Sequence, residues 1–420
     1  MPNKPPPRTE SLDARADALR LMAQVTRDGR MLSDASWLDG PRAARALRLA
    51  GLALRHAGRA DAVLKPLVDR QPAPRIRDVL RLAMAEMFED GAAPHGVVND
   101  AVALARMSPK TAKQAGLVNA LLRKIDAAAW SAAPPPQLPN WLRKHVGRAY
   151  GQDRTRAIEA AHLAGAPLDL TVVDDAADWA ERLGGTVLPT GSVRLAGGQV
   201  SALPGFDDGA WWVQDAAAAV PARLLGDVAG RRVLDLCAAP GGKTMQLAAA
   251  GARVTALDSS DKRLRRLHQN LRRTGLEAEI VVADALDWDG GAFDAVLLDA
   301  PCTATGTIRR HPDLIHLRAA RDVEALTTLQ YKLLDRALTH VVPGGALVFC
   351  TCSLLPVEGE HQIAAALKRH PAVVAEPLDP ADHGLPPEAA SPHGLRLTSE
   401  MWSDRGGIDG FFMARLRVPG

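Results

Sequence analysis

The stretch Val233-Leu234-Asp235-Leu236-Cys237-Ala238-Ala239-Pro240-Gly241-Gly242-Lys243-Thr244 decides the fold. An apolar, strand-like run enters a loop with two adjacent glycines, and helix-forming residues follow. Glycines at 241 and 242 let backbone amides come close to a ligand, and the helix start adds N–H donors and a positive dipole end. The tetrapeptide Gly241-Gly242-Lys243-Thr244 resembles the end of a phosphate loop. That motif needs a glycine five residues before its last one, and Cys237 stands there, so the spacing excludes it.

Outward from this stretch, strand-like runs at residues 231–237, 253–258, 278–282, 293–299 and 346–351 are mostly separated by helical ones at 244–250, 260–274 and 321–341. Such alternation predicts a parallel, doubly wound sheet with its ligands at the carboxyl ends of the strands. A last strand, 411–418, is expected antiparallel at the sheet's edge. Asp258, Asp284 and Asp299 fall just beyond the second, third and fourth strands. A carboxylate after the second strand can hold a ribose diol, and one after the third can accept from an adenine amino group. Three acids in register at strand ends point to a nucleoside ligand.

Two further segments sit at strand ends: Asp299-Ala300-Pro301-Cys302-Thr303, and Cys350-Thr351-Cys352-Ser353. A parallel sheet brings them together, so Cys302 and Cys352 are expected to be neighbours. Paired thiols beside a nucleoside suit methylation of cytosine at C5. That carbon is a poor nucleophile until a thiolate adds to C6. One cysteine can add while the other assists departure. Asp299 suits the N3/N4 edge of the base if burial raises its pKa. An amino-nitrogen methyltransferase would carry a D/N-P-P-Y-type motif where this chain has Asp-Ala-Pro-Cys. The four cysteines, Cys237, Cys302, Cys350 and Cys352, form no CxxC pair, so no structural zinc site is expected, and without a secretory signal the expected compartment is reducing, so no disulfide framework is expected.

The motifs CAAPGGKT, DAPCT and TCSL, the segment 358–361 and the terminal Asp409-Gly410-Phe411-Phe412 resemble the RsmB/Sun group of ribosomal RNA cytosine-5 methyltransferases. The resemblance covers roughly residues 205–420. It implies a Rossmann-like class I methyltransferase domain with S-adenosyl-L-methionine as cofactor. It implies cofactor binding by Cys237, Ala238, Ala239, Pro240, Gly241, Gly242, Lys243, Asp258, Asp284 and Asp299. It makes Cys352 the nucleophile and Cys302 the residue that helps release product, an order the chemistry alone leaves open. Gln214 and Asp215 also match a family segment. Two alternatives stand beside this reading: a DNA cytosine-5 methyltransferase, which would make Cys302 the nucleophile, and a catalytically silent RNA-binding assembly factor.

Residues 9–130 show helical periodicity throughout, punctuated at 39–41, 70–72, 90–91 and 108–109. Residues 94–102 and 116–123 are similar to the two most characteristic stretches of the NusB-like RNA-binding domain. The expected architecture is therefore multidomain: an all-α NusB-like bundle at 1–133, a Pro-rich linker with a small α/β connector at 134–225, and the α/β methyltransferase domain at 226–420. In the connector, 168–173 reads Leu-Asp-Leu-Thr-Val-Val where family members often carry an Arg-Val-Asn strand.

Charge is uneven along the chain. Residues 1–133 hold 21 Lys+Arg against 14 Asp+Glu, and the remainder 30 against 34, which suits a polyanionic partner for the first third. The resemblance narrows that partner to 16S ribosomal RNA or a small-subunit assembly intermediate. Arg309 and Arg310, bordering the catalytic loop, are the expected phosphate contacts. The basic run 260–274 reads as a solvated outer helix, and Trp211 and Trp212 as core. No apolar run reaches membrane-spanning length, and residues 1–10 lack the apolar region of a secretory signal and read as a disordered arm. A cytoplasmic monomer without a membrane partner is expected.

Overall fold

A computed structural model of the chain describes residues 8–420, so most of the expected N-terminal arm lies outside the described residues. Arg8 already opens the first helix. Two compact units result, and each is organised around its own core.

The first unit is helical: α1 (Arg8–Thr26), α2 (Gly40–Arg55), α3 (Ala57–Leu64), α4 (Pro74–Phe88), α5 (Pro94–Arg106), α6 (Ala115–Lys124) and α7 (Ala127–Ala132). Prolines open α4 and α5, where the missing N–H costs nothing and φ is already helical. In α2, Ala46, Leu49, Ala50, Ala53 and Leu54 recur at helical spacing, and all are buried. The central α4 is buried on nearly every side, so its charged residues must be paired. Glu86 accepts from Arg15 Nε at 2.7 Å, and Arg81 bonds both Asp61 and Asp78. The run that ends the expected bundle, 131–139, is partly helical because α7 reaches Ala132.

The second unit begins within α8 (Asn140–Ala164), which is interrupted at Gly151 by a φ of 80°. It continues through β1 (Leu168–Val172), α9 (Ala176–Leu183), β2 (Thr186–Val187), β3 (Val193–Leu195) and β4 (Trp211–Val213). These strands form an antiparallel sheet in the order β2-β3-β1-β4. The connector thus has its own sheet but belongs to the same compact unit as the strands that follow. Its local core is small, and Trp212 packs instead with Ala238, Met245 and Leu267 of the larger one. Trp211 and Trp212 are both buried, as the core reading expects.

The chain then runs α10 (Val220–Arg223), β5 (Arg232–Leu236), α11 (Gly242–Ala249), β6 (Arg253–Asp258), α12 (Asp261–Thr274), β7 (Glu279–Val282), β8 (Phe293–Asp299), α13 (Leu314–Leu317), α14 (Ala320–Thr339), β9 (Val341–Thr351), α15 (Glu360–Arg369), β10 (Val374–Ala375), β11 (Ala390–Ser391), β12 (Gly394–Leu397) and β13 (Phe411–Arg417). The large sheet has the order β11-β12-β13-β9-β8-β5-β6-β7, with β10 also on β13. Its five expected strands are parallel to one another. The order reverses between β5 and β8, which opens a crevice at their carboxyl ends. β13 is antiparallel as expected but not at the edge, because β12 pairs with its far side. Residues Arg310–Arg318, including α13, pack with the helical unit rather than with the sheet that flanks them in sequence. No helix among the described residues is long and apolar enough to cross a membrane.

Candidate active site

At the carboxyl end of β5 the backbone turns sharply, with Cys237 at a φ of 61°, a region that non-glycine residues seldom occupy. Gly241 follows at a φ of 104°, and a Cβ there would sit 2.1 Å from Leu267 Cδ1, so only glycine lets α12 close over the loop. Asp258 is buried at the end of β6; its carboxylate accepts from the Ala239 and Ser260 amides at 3.2 and 2.9 Å. It thereby ties the glycine loop to the second strand. Asp284 is exposed after β7, one oxygen accepting from the Leu286 amide at 2.9 Å.

Asp299 closes β8. Lys243 Nζ donates to its Oδ2 at 2.7 Å, and Cys350 Sγ approaches Oδ1 at 3.5 Å. The expected burial of Asp299 is not met. Its side chain keeps 32% of its exposure, because it lies at the open end of the strand and pairs with a cation. Burial works against the Lys243 ammonium, but Asp299, Cys350 and Asp235 together outweigh it and hold the pKa above the ordinary value. The ammonium also lies 5.3 Å from the centre of the Phe411 ring.

The two loops beyond β8 and β9 bring Cys302 Sγ and Cys352 Sγ to 3.5 Å across 50 residues of sequence. Their surroundings differ. Cys302 is buried, whereas Cys352 is partly exposed. The hydrogen bond to Cys352, together with burial, pushes the Cys302 thiol well above its usual pKa. Burial does the same to Cys350 and Cys237, which favours the protonated thiol at both.

The curated proteins most similar to the chain share one description, ribosomal RNA small subunit methyltransferase B. The one from Pseudomonas putida is 39% identical, over 81% of this chain and 82% of its own length. The one from Vibrio vulnificus is 33% identical, over 90% of this chain and 96% of its own. The model of the 16S rRNA methyltransferase RsmB/F family matches residues 222–417, and that of the NusB family matches 12–127. The chain belongs to the RsmB/F methyltransferase family. Solved structures agree on the fold. The protein named PH0851 superposes with a TM-score of 0.74 at 24% identity, covering 98% of this chain and 99% of that one. A methyltransferase homolog from Pyrococcus horikoshii gives 0.55 at 30% identity, covering 66% and 93%.

S-adenosylmethionine is the methyl donor of this RsmB/F-family enzyme, and the donor set fits it. Carboxyl groups of Asp258 and Asp284 stand at the ends of β6 and β7, where ribose hydroxyls and an adenine amino group need acceptors. The helix α11 starts at Gly242, directly after the loop that leaves β5, so its first amides are available as donors beside that strand's end.

Arg309 is a correction. Expected to contact phosphate, it is fully buried, donating to Asp409 Oδ1 at 2.5 Å and Asp215 Oδ2 at 2.9 Å. No part of its guanidinium faces solvent. Through this pairing Asp215 and the terminal Asp-Gly-Phe-Phe motif anchor the distal end of the loop that begins at Cys302. Arg310 is half-buried and packs with the helical unit. Asp169, in the connector strand that departs from the family pattern, is fully buried and pairs with Arg194 through both oxygens. Sequence reasoning quoted Glu358 only as part of a family motif and missed Arg396; both are buried charges beside the Cys352 loop. The available signal was a charged residue inside an otherwise apolar or small-residue segment.

Proposed function

We propose that this protein methylates carbon 5 of a cytosine in ribosomal RNA of the small subunit. The observation that carries the proposal is the pair of sulfurs at 3.5 Å, one partly exposed and one buried, beside Asp299 and Lys243. The names of the relatives supply the RNA class, and the basic helical unit suits a polyanion.

Burial orders the two cysteines. The more accessible Cys352 is the nucleophile; its thiolate adds to C6, and the C5–C6 electron pair moves toward C5 and the N3 edge. The Lys243 ammonium stabilises the negative charge that develops at N3, while Asp299 holds Lys243 and offers an acceptor to the N4 amino group. The 237–243 loop, Asp258 and Asp284 would hold S-adenosylmethionine, which when bound would supply the electrophilic methyl for C5. A solvent water at the open strand ends takes the C5 proton, the C5–H electron pair re-forms the C5–C6 double bond, and the C6–S bond breaks to return Cys352 as a thiolate. Cys302 keeps its proton and hydrogen-bonds the departing Cys352 sulfur, which makes it a better leaving group. The cytosine must be unstacked for its C5–C6 edge to reach the thiol. Arg310 stays a candidate phosphate contact.

Labelled-methyl transfer to small-subunit RNA, with 5-methylcytosine mapped on the product, tests the reaction. Cys352→Ala is expected to lose transfer entirely while binding the cofactor as the parent does. Cys302→Ala is expected to accumulate a denaturation-resistant protein–RNA adduct. Unchanged turnover in Cys352→Ala would overturn the assignment.

A further inference from the structure

Neither thiol lies within a helix or strand; each sits on a loop whose position must be set from outside. Between the two loops lies Glu358, fully buried in the single turn Pro356–Glu358. Its Oε1 accepts from the Thr303 amide at 2.9 Å and from Gln330 Nε2 at 3.1 Å. Its Oε2 accepts from Thr303 Oγ1 and from Ser353 Oγ, both at 2.5 Å. Thr303 directly follows Cys302, and Ser353 directly follows Cys352. Gln330 also donates to the Pro301 carbonyl at 2.9 Å, so the Cys302 segment is held on both sides of the thiol.

We propose that Glu358 is a positioning residue for methyl transfer, fixing the separation of the Cys302 and Cys352 sulfurs by bonding the residue after each. This rests on the two-thiol reading above. A packing role alone would be met by an apolar side chain of similar volume, without the cost of burying a carboxyl group. Four donors from three segments converge on this one group instead, and two of those segments carry the thiols. Because the carboxylate reaches both loops at hydrogen-bond length, neither thiol can drift without breaking a buried bond.

The test uses full-length Glu358→Ala, Glu358→Gln and Glu358→Asp variants, with Cys302→Ala and Cys352→Ala alongside. Readouts are kcat and KM for RNA, affinity for S-adenosylhomocysteine, melting temperature, and the denaturation-resistant adduct. Glu358→Ala is expected to lower kcat about 100-fold through misplacement of the reacting groups. Its KM should stay within about threefold, and the adduct should accumulate as it does in Cys302→Ala. Glu358→Gln keeps an acceptor toward Thr303 and Gln330 and is expected to recover most of the turnover. Glu358→Asp, one methylene too short to span both loops, is not. Should Glu358→Ala fail to fold, Thr303→Val and Ser353→Ala each remove one limb of the clamp, and each is expected to lower kcat about tenfold. The proposal is overturned by parental kcat in the alanine or single-limb variants. It is equally overturned if kcat falls only in step with melting temperature and cofactor affinity. Turnover by Cys352→Ala would instead remove the two-thiol mechanism beneath it, whereas a dead Cys352→Ala beside a normal Glu358→Ala would remove this proposal alone.

Discussion

Asp235 lies inside β5 with no exposed surface, and its Oδ2 accepts from Thr244 Oγ1 at 2.6 Å. Burial raises its pKa from 3.8 to about 7, with the Thr244 bond and Lys243 pulling the other way. Because the folded state holds this proton more tightly than the unfolded one, stability falls as pH rises from near 4 to near 7 and levels off above. Asp235→Asn keeps an acceptor for Thr244 and removes the ionisation. Its unfolding free energy relative to the parent, read from denaturant titrations, should climb from pH 5 to pH 8 by about 3 kcal/mol at most. A gap that does not change with pH would rule out a buried, titrating Asp235. The thiols were legible at this scale because strand-end positions can be counted from hydrophobic pattern alone. Arg309 was not. Its partners Asp215 and Asp409 lie 94 and 100 residues away, and nothing local separates a buried arginine from one that meets phosphate.

Elements were legible where a strand alternates with a helix long enough to show its period. The parallel strands β5 to β9 emerged in that way, while β11 and β12 did not. Those two span Ala390–Ser391 and Gly394–Leu397, too short to show alternation, and their pairing moves β13 into the sheet's interior. That interior position is what brings the loop before β13 to the catalytic loops. The Gly306 amide donates to the Cys352 carbonyl at 3.0 Å, and the Gly410 amide donates to the Gly306 carbonyl at 2.9 Å. Three loops are thus joined through one glycine. A Cβ on Gly306 would lie 1.9 Å from the Gly410 carbonyl oxygen, a contact with backbone that no side-chain rotation relieves. Gly306→Ala should therefore force the loops apart, at a cost of about 1 to 3 kcal/mol. Turnover is expected to fall at least about tenfold while cofactor affinity holds, since Asp258 and Asp284 lie on other strands. Parental single-turnover rates in Gly306→Ala would show that the loops tolerate the separation.

At the scale of the molecule, the chain leaves the catalytic unit after Arg309, gives Arg310–Arg318 to the helical unit, and returns at Ala319. The sequence offered no hint of this, because 310–318 lies within the stretch that resembles a methyltransferase and its length is unremarkable for a loop. Within the helical unit the segment is well held. Asp313 Oδ2 accepts from the Leu32 amide at 2.9 Å, His316 Nε2 lies 3.1 Å from the Leu54 carbonyl, and Leu314 is buried. The segment after Arg309 is therefore held by residues 281 and 262 positions earlier in sequence, while Arg309 itself stays tied to Asp215 and Asp409. A fragment beginning at Lys144 would keep the large sheet but strip the partners from Leu314 and Leu317. Trypsin should then cut that fragment after Arg310 and Arg318, while the same bonds in the full chain resist and the sheet arginines Arg253 and Arg415 stay protected in both. Equal protection of 310–318 in fragment and full chain would show that the segment holds its place without the helices.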